Sequence, residues 1–154
     1  MQVADQGPPS VTERAPQGSR VLVVDDNMDL ADSIATLLRL AGYEVRTAGT
    51  GPAGLEAART YRPHVVLLDI GLPEMDGFEV ARRIRQEHEL KDIQLVALTG
   101  YGEEHHQRAS SEAGFNQHLV KPVEAKRLLA ILAELVPRRD AVPVQVPAPS
   151  LVRR

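Results

Sequence analysis

The 154-residue sequence predicts an α/β fold, a three-layer sandwich in which five parallel strands alternate with five helices. Three observations predict it. Short apolar runs alternate with amphipathic stretches through the middle of the chain. Three of these runs are nearly continuous, as expected of strands buried on both faces of a parallel sheet. Carboxylates, a hydroxyl and a lysine stand at the C-terminal ends of the runs, where open α/β sheets place their functional crevice.

The expected strands are Arg20–Val24 (RVLVV), Tyr43–Ala48 (YEVRTA), His64–Leu68 (HVVLL), Gln94–Leu98 (QLVAL) and His118–Val120 (HLV). The expected helices are Met28–Ala41, Pro52–Tyr61, Phe78–Glu87, Glu103–Ala113 and Glu124–Val136. Leu30, Ile34, Leu37, Leu38 and Ala41 keep helical spacing in the first, as do Leu128, Leu129, Leu132, Leu135 and Val136 in the last. Gly42 and Gly114 stand where C-terminal caps belong, and Pro52 suits a first helical turn. Asp76–Gly77 reads as a turn with a helix cap. Strict strand–helix alternation implies helices on both faces of the sheet, with strand order 2-1-3-4-5.

Proline marks the edges of this unit. Of eleven prolines, seven lie in the first 19 and last 18 residues. Residues 1–19 and 137–154 therefore read as flexible arms around a folded unit from Arg20 to Val136. Composition excludes several classes. With 43% apolar and 25% charged residues, the chain fits a soluble globular domain. No run approaches the ~18 to 20 apolar residues of a membrane span. The absence of cysteine removes disulfides and thiolate metal sites and agrees with a cytoplasmic setting. A net charge of −3 and 3% aromatics give neither general attraction nor stacking platforms for nucleic acid. No nucleic-acid or membrane partner is expected.

Chemistry gathers at the strand ends. The first strand runs into Asp25-Asp26, the third into Asp69, the fourth into Thr99, and the fifth into Lys121-Pro122. Each residue alone has a plain reading: a helix-end acid, a turn, a surface lysine. Together they bring three carboxylates, a hydroxyl and an ammonium to one crevice. Clustered carboxylates repel one another unless a cation joins them. An oxygen-only donor set suits Mg²⁺, or Mn²⁺. Phosphoryl transfer needs an aligned nucleophile and positive charge around the phosphoryl oxygens. Asp69 can be that nucleophile, with Lys121 and the Thr99 hydroxyl on the oxygens. His105-His106 do not share a helical face, and His64 and His88 read as surface residues. His118 is the one histidine with a candidate functional role.

VLVVDD at Val21–Asp26, VVLLDIGLPEMDG at Val65–Gly77, LTG at Leu98–Gly100 and HLVKP at His118–Pro122 closely resemble the receiver domain of bacterial response regulators. The resemblance implies a flavodoxin-like (βα)5 fold, with Asp25 and Asp26 as acidic metal-site residues and Asp69 as the phosphorylated residue. It implies the backbone carbonyl of Gly71 as a further metal contact and a cis Lys121–Pro122 peptide. It also implies a histidine kinase or histidine phosphotransfer protein as donor. A downstream protein would bind through the fourth helix, fifth strand and fifth helix, with Thr99 and His118 as switch residues. In relatives an aromatic residue often fills the His118 position, and the residues at Gly71 and Tyr101 tune phosphoryl lifetime. The stretch from Gly100 to Glu124 looks most like receivers attached to hybrid histidine kinases, so both a stand-alone receiver and part of a hybrid kinase remain open.

Rival functions lack their own marks. An aspartate-nucleophile phosphohydrolase would carry a second acid two residues after Asp69, where this chain has Gly71. A flavin or nucleotide binder would carry a Gly/Ser/Thr-rich loop after the first strand, where this chain has Asp25-Asp26-Asn27. A receiver that only binds partners, without phosphorylation, would be expected to lack Asp69, Lys121 or the acidic pair.

Overall fold

The computed structural model describes residues 15–100 and 111–136. Strands β1 (Arg20–Val24), β2 (Glu44–Ala48), β3 (Val65–Asp69), β4 (Gln94–Thr99) and β5 (Gln117–Val120) form one parallel sheet in the order β2-β1-β3-β4-β5. Helices α1 (Met28–Leu40), α2 (Gly51–Tyr61), α3 (Gly77–Gln86) and the C-terminal helix (Ala125–Leu135) cover it, with a short 3₁₀ turn at His88–Leu90. The fold class and strand order are those expected, and element ends differ by a residue or so.

Alternate residues of each strand point to opposite faces, so the sheet builds two cores. On one face Val21, Val23, Val65, Leu67, Val96 and Leu98 pack under Ile34 and Leu38 of α1 and Leu128 and Leu132 of the C-terminal helix. On the other, Leu22, Val24, Val66, Leu68, Leu95 and Ala97 pack under Leu55 of α2 and Val80 and Ile84 of α3. Each of these large side chains contributes roughly 1.5–3 kcal/mol by leaving water. That explains the continuous apolar runs in β1, β3 and β4: both faces are covered.

The first three helices start on side-chain caps, and the C-terminal helix does not. Asn27, Thr50 and Asp76 accept hydrogen bonds from the backbone N–H of Leu30 (3.1 Å), Ala53 (3.1 Å) and Glu79 (3.0 Å). Gly42 and Gly114 both have positive φ, as capping glycines do. The Lys121–Pro122 peptide is cis.

Two expectations are corrected. The first is the boundary of the N-terminal arm. Ala15 donates its N–H to the Ala41 carbonyl (3.0 Å) and packs on the α1 side of the core, and the carbonyl of buried Ser19 accepts from Glu44 N (2.9 Å). Residues 15–19 thus belong to the body: they satisfy the end of α1 and the start of β2. The second is His64, read as a surface residue. It is half-buried, and its Nδ1 accepts from the backbone N–H of Arg20 (3.1 Å), extending the β1–β3 ladder. The expected fourth helix lies outside the described residues except for its last turn, Ser111–Ala113.

Candidate functional site: an acidic crevice at the strand ends

The sheet register builds the site. Val24 pairs with Leu68, so Asp25 and Asp69 lie side by side at the ends of adjacent strands. Asp69 pairs with Leu98, which puts Thr99 one step further along β4. Thr99 pairs with Val120, and Lys121 follows, its N–H donating to the Thr99 carbonyl (2.7 Å). Three neighbouring crossings of the sheet thus deliver residues remote in sequence to one place.

Asp25 is wholly buried, Asp69 is 7% exposed and Thr99 4% exposed, whereas Asp26 faces solvent. Asp25 Oδ1 accepts from Asn27 N–H (2.9 Å), and Asp69 Oδ1 accepts from Gly71 N–H (2.9 Å). The Lys121 ammonium reaches both acids from β5, with Nζ 2.8 Å from Asp25 Oδ2 and 3.4 Å from Asp69 Oδ2. The Thr99 hydroxyl donates weakly to the Leu119 carbonyl at 3.4 Å. All five chemical groups expected of the site are therefore brought together. Gly71 joins them through its N–H, and His118 is half-buried on β5, paired with Ala97. Tyr101 lies outside the described residues.

Charge is unbalanced here. Asp25, Asp26 and Asp69 each offer an oxygen, and these oxygens lie within 4.8 Å of one another. Like charges at that separation repel by about 3 to 4 kcal/mol per pair at a surface-like dielectric. One ammonium faces three carboxylates. Burial, with Asp25 beside it, holds the Asp69 carboxyl above the usual carboxylate range, although the Gly71 N–H and Lys121 pull the other way. Burial alone would lower the Lys121 ammonium, but the contacts to Asp25 and Asp69 outweigh it and raise it. The donor set fits a hard divalent cation: oxygen ligands only, converging, with excess negative charge and one member open to solvent.

The loop after β3 is fixed by a close approach that sequence reading missed. A methyl group on Gly77 would lie 2.5 Å from the Asp69 carbonyl oxygen and 2.7 Å from Ile70 Cα. Gly77 N–H also donates to the Ile70 carbonyl (3.3 Å). The start of α3 thus rests directly on the backbone that carries Asp69. The signal was present, a glycine directly after the Asp76 cap, but turn chemistry explained it without this contact.

Comparison with known proteins agrees with this geometry. The family described as the response regulator receiver domain matches residues 21–133. The DNA-binding dual master transcriptional regulator RpaA of Synechocystis is 32% identical over 124 residues, covering 80% of this chain and 52% of its own. The chain spans about half the length of the first curated relatives it matches. Among solved structures, chemotaxis protein CheY4 of Vibrio cholerae superposes with a TM-score of 0.73 at 30% identity, covering 77% of this chain and 99% of that one. The receiver domain of sensor histidine kinase PA1611 from Pseudomonas aeruginosa, solved with a magnesium ion coordinated in its active-site cleft, gives 0.71 at 30% identity, covering 77% and 97%.

Proposed function

Because this chain belongs to the response regulator receiver domain family, we propose that it accepts a phosphoryl group from a phosphohistidine donor onto Asp69 and switches partner binding in response. The observation that carries the proposal is the placement of Asp69. One oxygen is fixed by Gly71 N–H, the other lies 3.4 Å from the Lys121 ammonium, and two further carboxylates lie beside it.

The transfer follows from these positions. The Asp69 carboxylate attacks phosphorus, a P–O bond forms, and the P–N bond to the donor imidazole breaks; the imidazole leaves and takes a proton from water. Gly71 N–H and the rigid end of β3 hold the nucleophile, leaving its other oxygen to attack. Lys121, already shared between Asp25 and Asp69, moves its charge onto a phosphoryl oxygen. The Thr99 hydroxyl, weakly held by the Leu119 carbonyl, turns to donate to another. A Mg²⁺ or Mn²⁺ ion held by Asp25, Asp26, Asp69 and the Gly71 carbonyl would neutralise charge on the transferring group. The chain would catalyse only its own phosphorylation and dephosphorylation.

The donor would be a histidine kinase or histidine phosphotransfer protein, in a cytoplasmic setting. Output would pass from Thr99 and His118 to a protein bound on the face of the fourth helix, β5 and the C-terminal helix. A small phosphodonor with Mg²⁺ tests the chemistry. Intact mass should rise by one phosphoryl group, mapped to Asp69, and the gain should vanish in Asp69→Asn or after chelation. A phosphoryl group mapped to a histidine or serine would falsify the proposal; a partner bound equally well by Asp69→Asn would favour phosphorylation-independent binding.

A further inference from the structure

The edge strand β2 contributes none of the groups of the crevice, yet the turn that follows it, Gly49–Gly51, meets both loops that carry the acids. A methyl group on Gly49 would lie 3.0 Å from the sulfur of Met28, which follows Asn27 after β1. A methyl group on Gly51, the buried first residue of α2, would fall on the carbonyl oxygen of Met75 in the loop after β3. Met75 Cβ would be 3.0 Å away and Val80 Cγ2 3.1 Å. The obstacles differ in kind. Met28 is 40% exposed, and its sulfur ends an unbranched chain that can swing aside. Gly54, further along α2, faces the Val24 methyls at 2.9 Å, again a side chain. At Gly51 the obstacle is backbone.

The Met75 backbone is held from the other side as well. Ile70 and Leu72 are buried, the Asp76 side chain caps α3, and Gly77 lies against the Asp69 carbonyl and Ile70 Cα. Glu74 takes a left-handed φ of +66°, which a residue with a side chain keeps only where its surroundings impose it. The first turn of α2, the Met75–Gly77 segment and the end of β3 are thus stacked backbone on backbone, with a glycine at each approach. Thr50 steadies the upper layer: its hydroxyl accepts from Ala53 N–H (3.1 Å) and fixes the turn that Gly51 begins. We infer that Gly51 is a positioning residue for the nucleophile: through it the first turn of α2 holds Met75–Gly77 down on the backbone that carries Asp69. This rests on the phosphoacceptor reading above.

The test compares wild type with Gly51→Ala, Thr50→Ala, Gly49→Ala and Gly114→Ala, each kept well below its own Tm and checked for folding by circular dichroism. Gly114 precedes β5 at the other end of the sheet. Its φ of +105° and a methyl position 2.7 Å from Arg85 Cγ make it a destabilised control away from the crevice. Two quantities are read. One is the maximal rate of Asp69 phosphorylation by acetyl phosphate with Mg²⁺, followed by intact mass. The other is the Gly71 amide resonance in metal-free protein, which reports the Gly71 hydrogen bond to Asp69 Oδ1. Gly51→Ala should slow the rate by about tenfold or more and shift Gly71, because small misplacements of reacting atoms cost large factors in rate. Thr50→Ala should shift Gly71 less and slow the rate by about threefold. Gly49→Ala and Gly114→Ala should stay within about twofold of wild type, with Gly71 unshifted. A wild-type rate with an unshifted Gly71 in Gly51→Ala overturns the inference, as does equal slowing in Gly114→Ala. If Gly51→Ala does not fold, Thr50→Ala decides by the same two readouts. Absence of phosphoryl uptake in wild type overturns the phosphoacceptor reading instead, and the Gly71 resonance then judges Gly51.

Discussion

The two ends of the sheet are built on opposite electrostatic terms. At the C-terminal ends, three carboxylates converge within 4.8 Å and share one ammonium. At the N-terminal ends, arginines are matched by carbonyls: Arg20 donates to Tyr61 and Arg62, and Arg85 to Lys91, Ile93 and Gly114. The first end holds like charges together, a strain that a bound cation would relieve. The second is already satisfied. The apolar strands between them bind both to one fold. A receiver needs this asymmetry: one end must respond to chemistry while the other holds the frame against which the response is measured.

Substitutions at each end can break or sharpen the contrast. The largest effect belongs to Asp69→Asn, which should abolish phosphoryl uptake while leaving the domain folded, as read by intact mass and circular dichroism. Gly77→Ala comes next, since its methyl meets backbone rather than a movable side chain. Overpacking of this kind costs roughly 1–3 kcal/mol, a fall in Tm on the order of 5–20 °C for a domain near 100 residues. Phosphorylation should slow with it, because the displaced backbone carries Asp69. Arg20→Met tests the satisfied end. It removes largely exposed carbonyl bonds worth roughly 0.5–1.5 kcal/mol each, so Tm should drop by several degrees with the rate of phosphoryl uptake unchanged. An equal loss of uptake would mean that the ends are not separable.

The fourth contrast concerns pH. The folded Asp69 holds its proton above the ordinary value of 3.8. Between that value and the folded one the native state binds more protons than the unfolded state, so rising pH costs stability. Metal-free wild type should therefore lose stability relative to Asp69→Asn as pH rises from below 3.8 to neutrality, and added Mg²⁺ should narrow the gap. Thermal melts across pH with and without chelator check this; a gap independent of pH would remove the strain from the acidic end. The smallest effect is expected on the surface. The Arg59–Glu87 pair is well formed at 2.6 Å but water-exposed, so Arg59→Ala should leave Tm unchanged within error.

How much of this was legible in sequence depends on how each residue makes its contacts. The strands were, because burial on both faces writes continuous apolar runs such as HVVLL and QLVAL. The crevice was, because sheet topology alone carries the ends of four strands, β1, β3, β4 and β5, to one place. Asp25, Asp69, Thr99 and Lys121 met as expected. Arg85 was not legible. Four of its five hydrogen bonds go to backbone carbonyls 6 to 29 residues away, and a carbonyl has no residue type to announce it. Ala15–Ser19 escaped for a similar reason: Pro16 and Gly18 look like linker, yet their neighbours close backbone hydrogen bonds on α1 and β2. His64 looked exposed because one histidine between proline and valine says nothing of where its Nδ1 will point.

The β1–β3 pairing has a consequence for how such a protein can change over time. Asp25 and Asp69 are spaced by the hydrogen-bonded distance between neighbouring strands, about 4.8 Å in any sheet. That ruler is set by backbone, and no side-chain substitution in the surrounding loops resets it. The backbone spacing between Asp69 and the neighbouring Asp25 stays constant throughout. Only a slip of one residue in β1 or β3 would disturb it, and that slip would turn every core side chain of the strand to the wrong face. The reacting geometry is therefore inherited together with foldability, and the two can be lost only at once.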